Sequence, residues 1–282
     1  MFSKINSTHK IMKMSLILMI LLSLFLCIQP RSTATAATQK PFNILLLGTD
    51  TGALGRNDRG CTDTMILATI NPQKGLCHLT SIERDIPIKI AGKQLKLNSA
   101  YTVGGLKLVR AKIATLLNVT ISYYAVVNMH SVTQIMQAVG KITVQNSLDF
   151  TFDHHHFTKG KLTLTPSQAL SYMRMRYQDP RGDYGRQLRQ QQVLKASFQK
   201  LTQQKQLHNL PKYLRIAKNA GFKTNLPLTR LAVSQVSGKG IHHIQSDQLN
   251  GTEQLINGQS FQKITSTERH RVHRQIQQVL QN

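Results

Sequence analysis

Three short apolar segments near the start of the chain, each closed by turn residues, constrain the fold more than any other feature. Phe42–Gly48 (FNILLLG) is an apolar run ending in glycine, the pattern of a buried strand. A polar, glycine-punctuated loop follows over Thr49–Thr62. Thr64–Ile70 then reads as a second strand and Gly75–Ile82 as a third, with Asn71-Pro72 marking the turn between them. Asn98–Leu117 carries helical spacing, with Gly104-Gly105 near its start. Tyr123–Asn128 is another strand, His130–Ala138 a short helix stopping at Gly140, and Lys141–Asn146 resumes strand character. Thr165 and Pro166 suit the N-cap and first position of a helix through Met173. Arg174–Tyr177 continues that helix or turns extended, and a long polar helix follows from about Arg186 to Gln204. The remainder, to Asn282, reads as shorter helical stretches with turns. Strands alternating with helices imply a layered α/β domain.

The chain has 282 residues, of which 40% are apolar, enough for one sizeable domain. Its first segment speaks to compartment. Lys4, Lys10 and Lys13 precede an apolar run from Met14 to Ile28, and Ala34-Thr35-Ala36 follows, in the manner of a secretory signal. The run is short for a bilayer-spanning helix, so cleavage and retention as an anchor both stay open. This gives residues 1–37 as signal peptide or signal anchor with linker, 38–205 as the domain core, and 206–282 as a basic part completing the same domain. The net charge is +24. Such a field draws polyanions: nucleic acid, anionic lipid headgroups or anionic wall polymers. The basic tail has no nucleic-acid recognition motif, and an exported protein rarely meets nucleic acid, so none is expected as a partner. Cys61 and Cys77 read either as one extracellular disulfide or, more plainly, as two isolated thiols with Cys77 in a strand.

The densest polar constellation is Arg174-Met175-Arg176 through Asp183 to Gln191. If the chain is extended there, Arg174 and Arg176 project from one face. Arg186 and Gln190 lie four apart on one helical face. Guanidinium forks match phosphate oxygens bidentately, so this cluster suits a pyrophosphate; the alternative is a solvated basic surface. Asp50 and Asp63 fall at neighbouring strand ends. There they either hold a magnesium ion that bridges phosphates or cap turns. Arg84 and Asp85 read as a simple ion pair and Lys96 as a solvated lysine. The loop Gly48–Gly55 lacks the lysine of a P-loop, and His154-His155-His156 reads as solvated loop.

Together these residues resemble the LytR-CpsA-Psr family of bacterial cell-wall enzymes. The resemblance rests on FNILLLGTD (Phe42–Asp50), TDTMILATI (Thr62–Ile70), SIERD (Ser81–Asp85), KLNSAYTVGG (Lys96–Gly105) and YYAVVNMHSVTQIMQAVG (Tyr123–Gly140). Its most specific block is LTPSQALSYMRMRYQDPRGDYGRQLRQQQVL (Leu164–Leu194).

The resemblance implies a three-layer α/β/α sandwich with a central mixed sheet. It implies a phosphotransferase at the outer face of the plasma membrane or in the cell wall of a Gram-positive-type bacterium. Such an enzyme moves a phosphoglycosyl polymer, such as teichoic acid or capsule, from a polyprenyl-pyrophosphate carrier to peptidoglycan. Carried over by position, Asp50 and Asp63 would hold Mg2+ (or Mn2+). Arg84, Lys96, Arg174, Arg176 and Arg186 would bind the pyrophosphate, with Gln190 in support. Arg84, Asp183 and Arg186 would be catalytic, Asp183 orienting Arg186 and neighbouring arginines or assisting proton transfer. The polyprenyl tail would run between sheet and helices among apolar residues such as those from Ile113 to Val139. Competing readings are a polyprenyl-pyrophosphate hydrolase and a non-catalytic envelope regulator or polyprenyl-phosphate-binding scaffold. Two positions depart from the family pattern: Cys61, where arginine is usual and Arg59 would be the residue to reach in instead, and Glu83, where proline is usual. A second glycine is also common where Lys141 stands.

Overall fold

A computed structural model describes residues 40–51, 60–202, 210–227 and 241–281. The proposed signal segment, Arg59 and the second half of the Gly48–Gly55 loop lie outside the described residues. Four elements form the first half of the sheet region: β1 (Phe42–Thr49), β2 (Thr62–Asn71), β3 (Leu76–Ser81) and the hairpin β4 (Pro87–Ile90) with β5 (Lys93–Lys96). Helix α1 (Ser99–Leu117), kinked at Gly105, leads into β6 (Tyr123–Asn128) and α2 (Met129–Val139). Then come β7 (Ile142–Asn146), β8 (Phe150–Phe152), β9 (His155–Phe157), β10 (Gly160–Leu164), α3 (Pro166–Arg174) and α4 (Asp183–Thr202). The last part contains α5 (Leu210–Asn219), β11 (Lys223–Thr224), β12 (His243–Gln248), the hairpin β13 (Thr252–Ile256) with β14 (Gln259–Lys263), and α6 (Ser266–Leu280).

The central sheet is mixed, in the order β11-β6-β1-β2-β3-β12. β6 runs parallel to β1 and β12 parallel to β3, while β2 is antiparallel to both its neighbours. Both faces are buried, and the period-two alternation of the strands explains how. Leu45, Leu47, Met65 and Leu67 meet Val109, Ile113 and Leu117 of α1 and Val272 and Ile276 of α6. On the other face Ile44, Ile66, Ala68 and Leu79 meet a smaller layer that includes Leu194 of α4. This is the expected α/β/α sandwich. A third cluster, with Met136, Val144, Phe150, Phe157, Tyr172 and Val193, fills the space between α2, α3, α4 and the small strands.

Local signals explain where the helices start. Asn128 and Ser131 form a reciprocal capping box at α2, and Thr165 and Gln168 form another at α3, with Pro166 in the first turn.

The C-terminal stretch differs from the sequence expectation of helical pieces and turns. It contributes β12 to the sheet, a β-hairpin and the core helix α6. β12 (HIQSDQ) is an edge strand with a largely exposed, polar surface, so it carries no hydrophobic alternation to read. His155 and His156 likewise lie in a strand, paired through the β8–β9 hairpin, with Asp153 and His154 turning at positive φ. Cys77 is a buried thiol in β3 and Cys61 is also free, so the two form no disulfide.

Residues from Ile113 to Val139 are divided between two packed clusters: Ile113, Leu117 and Val126 beneath α1, Met136 and Val139 beneath α2. Ile276 is fully buried between α6 and the sheet. Ile276→Ala should lower the unfolding free energy by about 2–5 kcal/mol in a denaturant titration; a loss under about 1 kcal/mol would mean that α6 is not part of the core.

Candidate functional site

The site residues gather at one end of the sheet, beyond the C-terminal ends of β1 and β3, where the antiparallel β2 begins. Open α/β sheets place ligands at such strand ends. Asp50 follows β1, Asp63 is the second residue of β2, and Glu83-Arg84-Asp85 follow β3. Helix α4 crosses this edge with its first turns. It starts at Asp183, three residues earlier than the sequence reading placed it, and this puts Asp183, Arg186, Gln187, Gln190 and Gln191 on one helical stripe.

Asp183 is the hub. Its Oδ1 lies 2.8 Å from Arg186 Nη2, 3.6 Å from Arg84 Nε and 3.7 Å from Arg176 Nε. Arg84 Nη1 also pairs with Asp63 Oδ1 at 2.6 Å, and Arg186 Nη2 donates to the Asp63 carbonyl at 2.9 Å. The chain thus brings Arg84, Arg176, Arg186, Asp63 and Asp183 together from four separate segments. Burial works against charge on Arg84, but Asp183 and Asp63 outweigh it and raise its affinity for the proton. For Arg186 burial wins over Asp183 and its pKa falls. An arginine stays charged in either case. Among the described residues, the buried Nε groups of Arg84 and Arg186 have no hydrogen-bond partner. Buried donors are costly to leave unpaired, so guanidinium groups side by side with spare N–H groups suit an acceptor-rich anion.

Three expected members are placed otherwise. Arg174 ends α3 as a helical residue, so it does not share a face with Arg176. Its guanidinium is 3.6 Å from Asp153 and rests on the Phe152 ring at 6.0 Å, half exposed. The extended arrangement begins only at Met175, whose ψ is 136°. Lys96 is no free lysine: its Nζ pairs with Asp85 at 3.1 Å and lies 5.7 Å from the Phe261 ring centroid. Arg84 correspondingly pairs with Asp63 and Asp183, not as an isolated couple with Asp85. Gln190 has no side-chain hydrogen-bond partner among the described residues. Its neighbour Gln187 does: Nε2 donates to Glu83 Oε2 at 2.6 Å and reaches Asp183 Oδ2 at 3.4 Å. The sequence did hold the signal for Gln187, one helical turn from Asp183.

Asp50 is tied to Cys61, two residues before Asp63. The Cys61 N–H donates to Asp50 Oδ1 at 2.7 Å, and the Asp50 N–H donates to the Cys61 carbonyl at 3.3 Å. The Cys61 thiol turns to Thr102 Oγ1, 3.4 Å away. Gly60 has φ 63°, and any side chain there would run into the Asp50 carboxylate. No group of three acidic, histidine or cysteine ligands is present among the described residues. Asp63 Oδ1 is engaged by Arg84 at 2.6 Å and Asp50 Oδ1 by the Cys61 N–H at 2.7 Å, so a bound cation would share both carboxylates with these donors.

A second ion pair holds the loop before α4. Arg189 Nη1 meets Asp179 Oδ2 at 2.6 Å and its Nη2 donates to the Met175 carbonyl at 2.7 Å. Arg181 closes on Asp179 from the solvent side at 3.2 Å. Gly185 packs so closely on Asp179 that no side chain fits there. This pair is structural: it fixes the turn that delivers Arg176 and Asp183.

A mixed-sheet sandwich with a guanidinium centre held by one helix-borne aspartate defines an α/β protein with a polyanion-type centre at its strand ends. The sequence matches the LytR_cpsA_psr family over residues 27–278, and the chain belongs to that family. It is 39% identical over 255 residues to the Enterococcus faecalis protein named polyisoprenyl-teichoic acid–peptidoglycan teichoic acid transferase TagU, covering 89% of this chain and 83% of that one. It is 37% identical over 254 residues to biofilm regulatory protein A of Streptococcus mutans, covering 82% of this chain and 62% of that protein, so the chain spans less than two thirds of that relative. The crystal structure of TagU from B. subtilis superposes with a TM-score of 0.67 at 30% identity, covering 86% of this chain and 98% of that one.

Burial pushes the Asp179 carboxyl up, but hydrogen bonds from Arg181 and Arg189 outweigh it and hold it below the usual carboxylate range. Its contribution to stability is therefore present at neutral pH and lost as pH falls below about 4. Arg189→Met should cost about 3–5 kcal/mol at pH 7, because it strands a buried carboxylate. Variant and wild type should converge in urea titrations at acid pH; an equal gap at every pH would contradict the assignment.

Proposed function

We propose that the chain is an extracytoplasmic phosphotransferase. It moves a phosphoglycosyl polymer of the teichoic acid kind from a polyprenyl-pyrophosphate carrier to a peptidoglycan hydroxyl. The observation that carries this reading is the convergence of Arg84, Arg176 and Arg186 on Asp183, with buried guanidinium donors left over for an anion. The transferase name of the Enterococcus faecalis relative supports the substrate class.

The acceptor hydroxyl attacks the phosphorus next to the sugar, and polyprenyl phosphate leaves with the electrons of the broken P–O bond. Attack on a doubly charged pyrophosphate is opposed by its own charge, so the protein's task is electrostatic stabilisation and positioning. Arg84 and Arg186 would bind the phosphate oxygens from the buried side and Arg176 from the outer side. Lys96 and Arg174 would close over the phosphates from the rim, and Gln190 would support Arg186. Asp183, already held by three guanidinium groups, suits an orienting role better than that of a base. Asp50 and Asp63 would hold Mg2+ (or Mn2+), which supplies charge neutralisation on the phosphates when bound. The polyprenyl chain would run between sheet and helices, among apolar residues such as those from Ile113 to Val139. The basic, apolar N-terminal segment would deliver the protein to the outer face of the membrane, as signal peptide or anchor.

The full-length protein should transfer phosphoglycan from a short-chain polyprenyl-pyrophosphate glycan to peptidoglycan oligomers in the presence of magnesium, read by mass spectrometry. Arg176→Ala should lower the rate at least ~100-fold while shifting the unfolding free energy by less than about 0.5 kcal/mol. Wild-type transfer by that variant removes the assignment. Free sugar phosphate in place of acceptor-linked product points to a hydrolase. Donor binding without turnover favours a non-catalytic regulator or scaffold, in keeping with the name of the Streptococcus mutans relative.

A further inference from the structure

Glu83 is a buried acidic group at this site that the reaction above does not use. It directly follows the last residues of the β3 arm, beside Arg84, and is only 1% exposed. A carboxyl group is almost never buried to this degree without partners. Its Oε2 accepts from Gln187 Nε2 at 2.6 Å and its Oε1 from the Asp85 N–H at 3.3 Å. The same Gln187 nitrogen lies 3.4 Å from Asp183 Oδ2, so one amide bridges the two carboxyl groups. Gln248 of β12 donates to Gln187 Oε1 at 3.1 Å and to the Tyr184 carbonyl at 2.8 Å, which fixes the orientation of that amide.

We propose that Glu83 is a positioning residue of the anion site: through Gln187 it sets the charge standing behind Asp183, so that the grip on a pyrophosphate donor loosens as Glu83 ionises. The inference rests on the pyrophosphate reading of the arginine centre. With Glu83 neutral, Asp183 and Asp63 offset the three guanidinium groups only in part and the centre carries a surplus of positive charge. With Glu83 ionised, part of that surplus is cancelled from the buried side.

The charged and titratable groups facing Glu83 are Arg84 and Asp85 on its own segment, the latter paired with Lys96, and Asp183 and Tyr184 on α4. Burial, and then repulsion by Asp183, push the Glu83 carboxyl up to about 7. Burial holds the Tyr184 phenol up at about 12, so it stays neutral across the same range. Glu83 is uncharged below its raised value and charged above it, so anion affinity falls as pH rises through about 7.

Inorganic pyrophosphate is the probe, with full-length wild type, Glu83→Gln and Glu83→Asp compared by calorimetry from about pH 5.5 to 8.5, a range that brackets the raised carboxyl. Ionisation of the probe itself is common to all three proteins and cancels in affinity ratios. Glu83→Gln should bind as wild type does at the acid end and about tenfold more tightly at the alkaline end. Glu83→Asp, which keeps a carboxyl, should retain a fall in affinity with pH. A Glu83→Gln ratio that is constant across the range would overturn the proposal and leave Glu83 a structural group. Absence of pyrophosphate binding by wild type at every pH would overturn the arginine site first, and this inference with it.

Discussion

Everything at the functional end of this protein depends on one carboxylate. Three guanidinium groups repel each other, and bringing them out of water raises the cost further. Asp183 lies within 3.7 Å of all three, near enough to offset that repulsion while no ligand is bound. It does so from the first turn of α4, where a negative charge also favours the helix dipole. Arg84 Nε stands 3.6 Å from Asp183 Oδ1, too far for a hydrogen bond, and among the described residues the buried Nε of Arg186 makes none either. The centre is stable as built and still short of acceptors, which is the condition a polyanionic substrate can satisfy.

The rest of the fold serves to deliver these side chains. The central strands bring Asp63 and Arg84 to one edge by antiparallel pairing of β2 and β3. The Asp179–Arg189 pair and the tight approach of Gly185 hold the turn from which Arg176 and Asp183 project. Gln191 ties α4 down to the sheet, donating to Ser81 Oγ at 2.8 Å and to the Asp247 carbonyl at 2.7 Å. Since Asp247 belongs to β12, the C-terminal part of the chain helps to position the site, and the Gln248 side chain reaches it through Gln187.

Much of this was legible in the sequence, for identifiable reasons. The strands β1 to β3 are apolar because both faces of the sheet are covered, and such runs announce themselves. Asp183 and Arg186 are three apart on a helix, so their meeting was local. Their meeting with Arg84 was not, since 99 residues of chain separate Arg84 from Asp183 and only the tertiary fold closes that gap. The sequence left open whether Arg174 continues α3 or turns extended; the helix includes it, one residue beyond Met173, and this sends the side chain to Asp153. β12 to β14 were missed because edge strands and exposed hairpins carry polar residues on both faces. Glu83 appeared in the sequence only as an odd charge; its partner Gln187 and its burial are properties of the folded chain alone.

The most direct test of the account is a crystal structure of the full-length protein with a short-chain polyprenyl-pyrophosphate analogue. The account predicts phosphate oxygens within hydrogen-bond reach of Arg84, Arg176 and Arg186, with Asp183 still holding those arginines from the side away from the ligand. Phosphates bound elsewhere, on the basic face of α6 or beside the histidines of the β8–β9 hairpin, with the three arginines left as they stand, would contradict it.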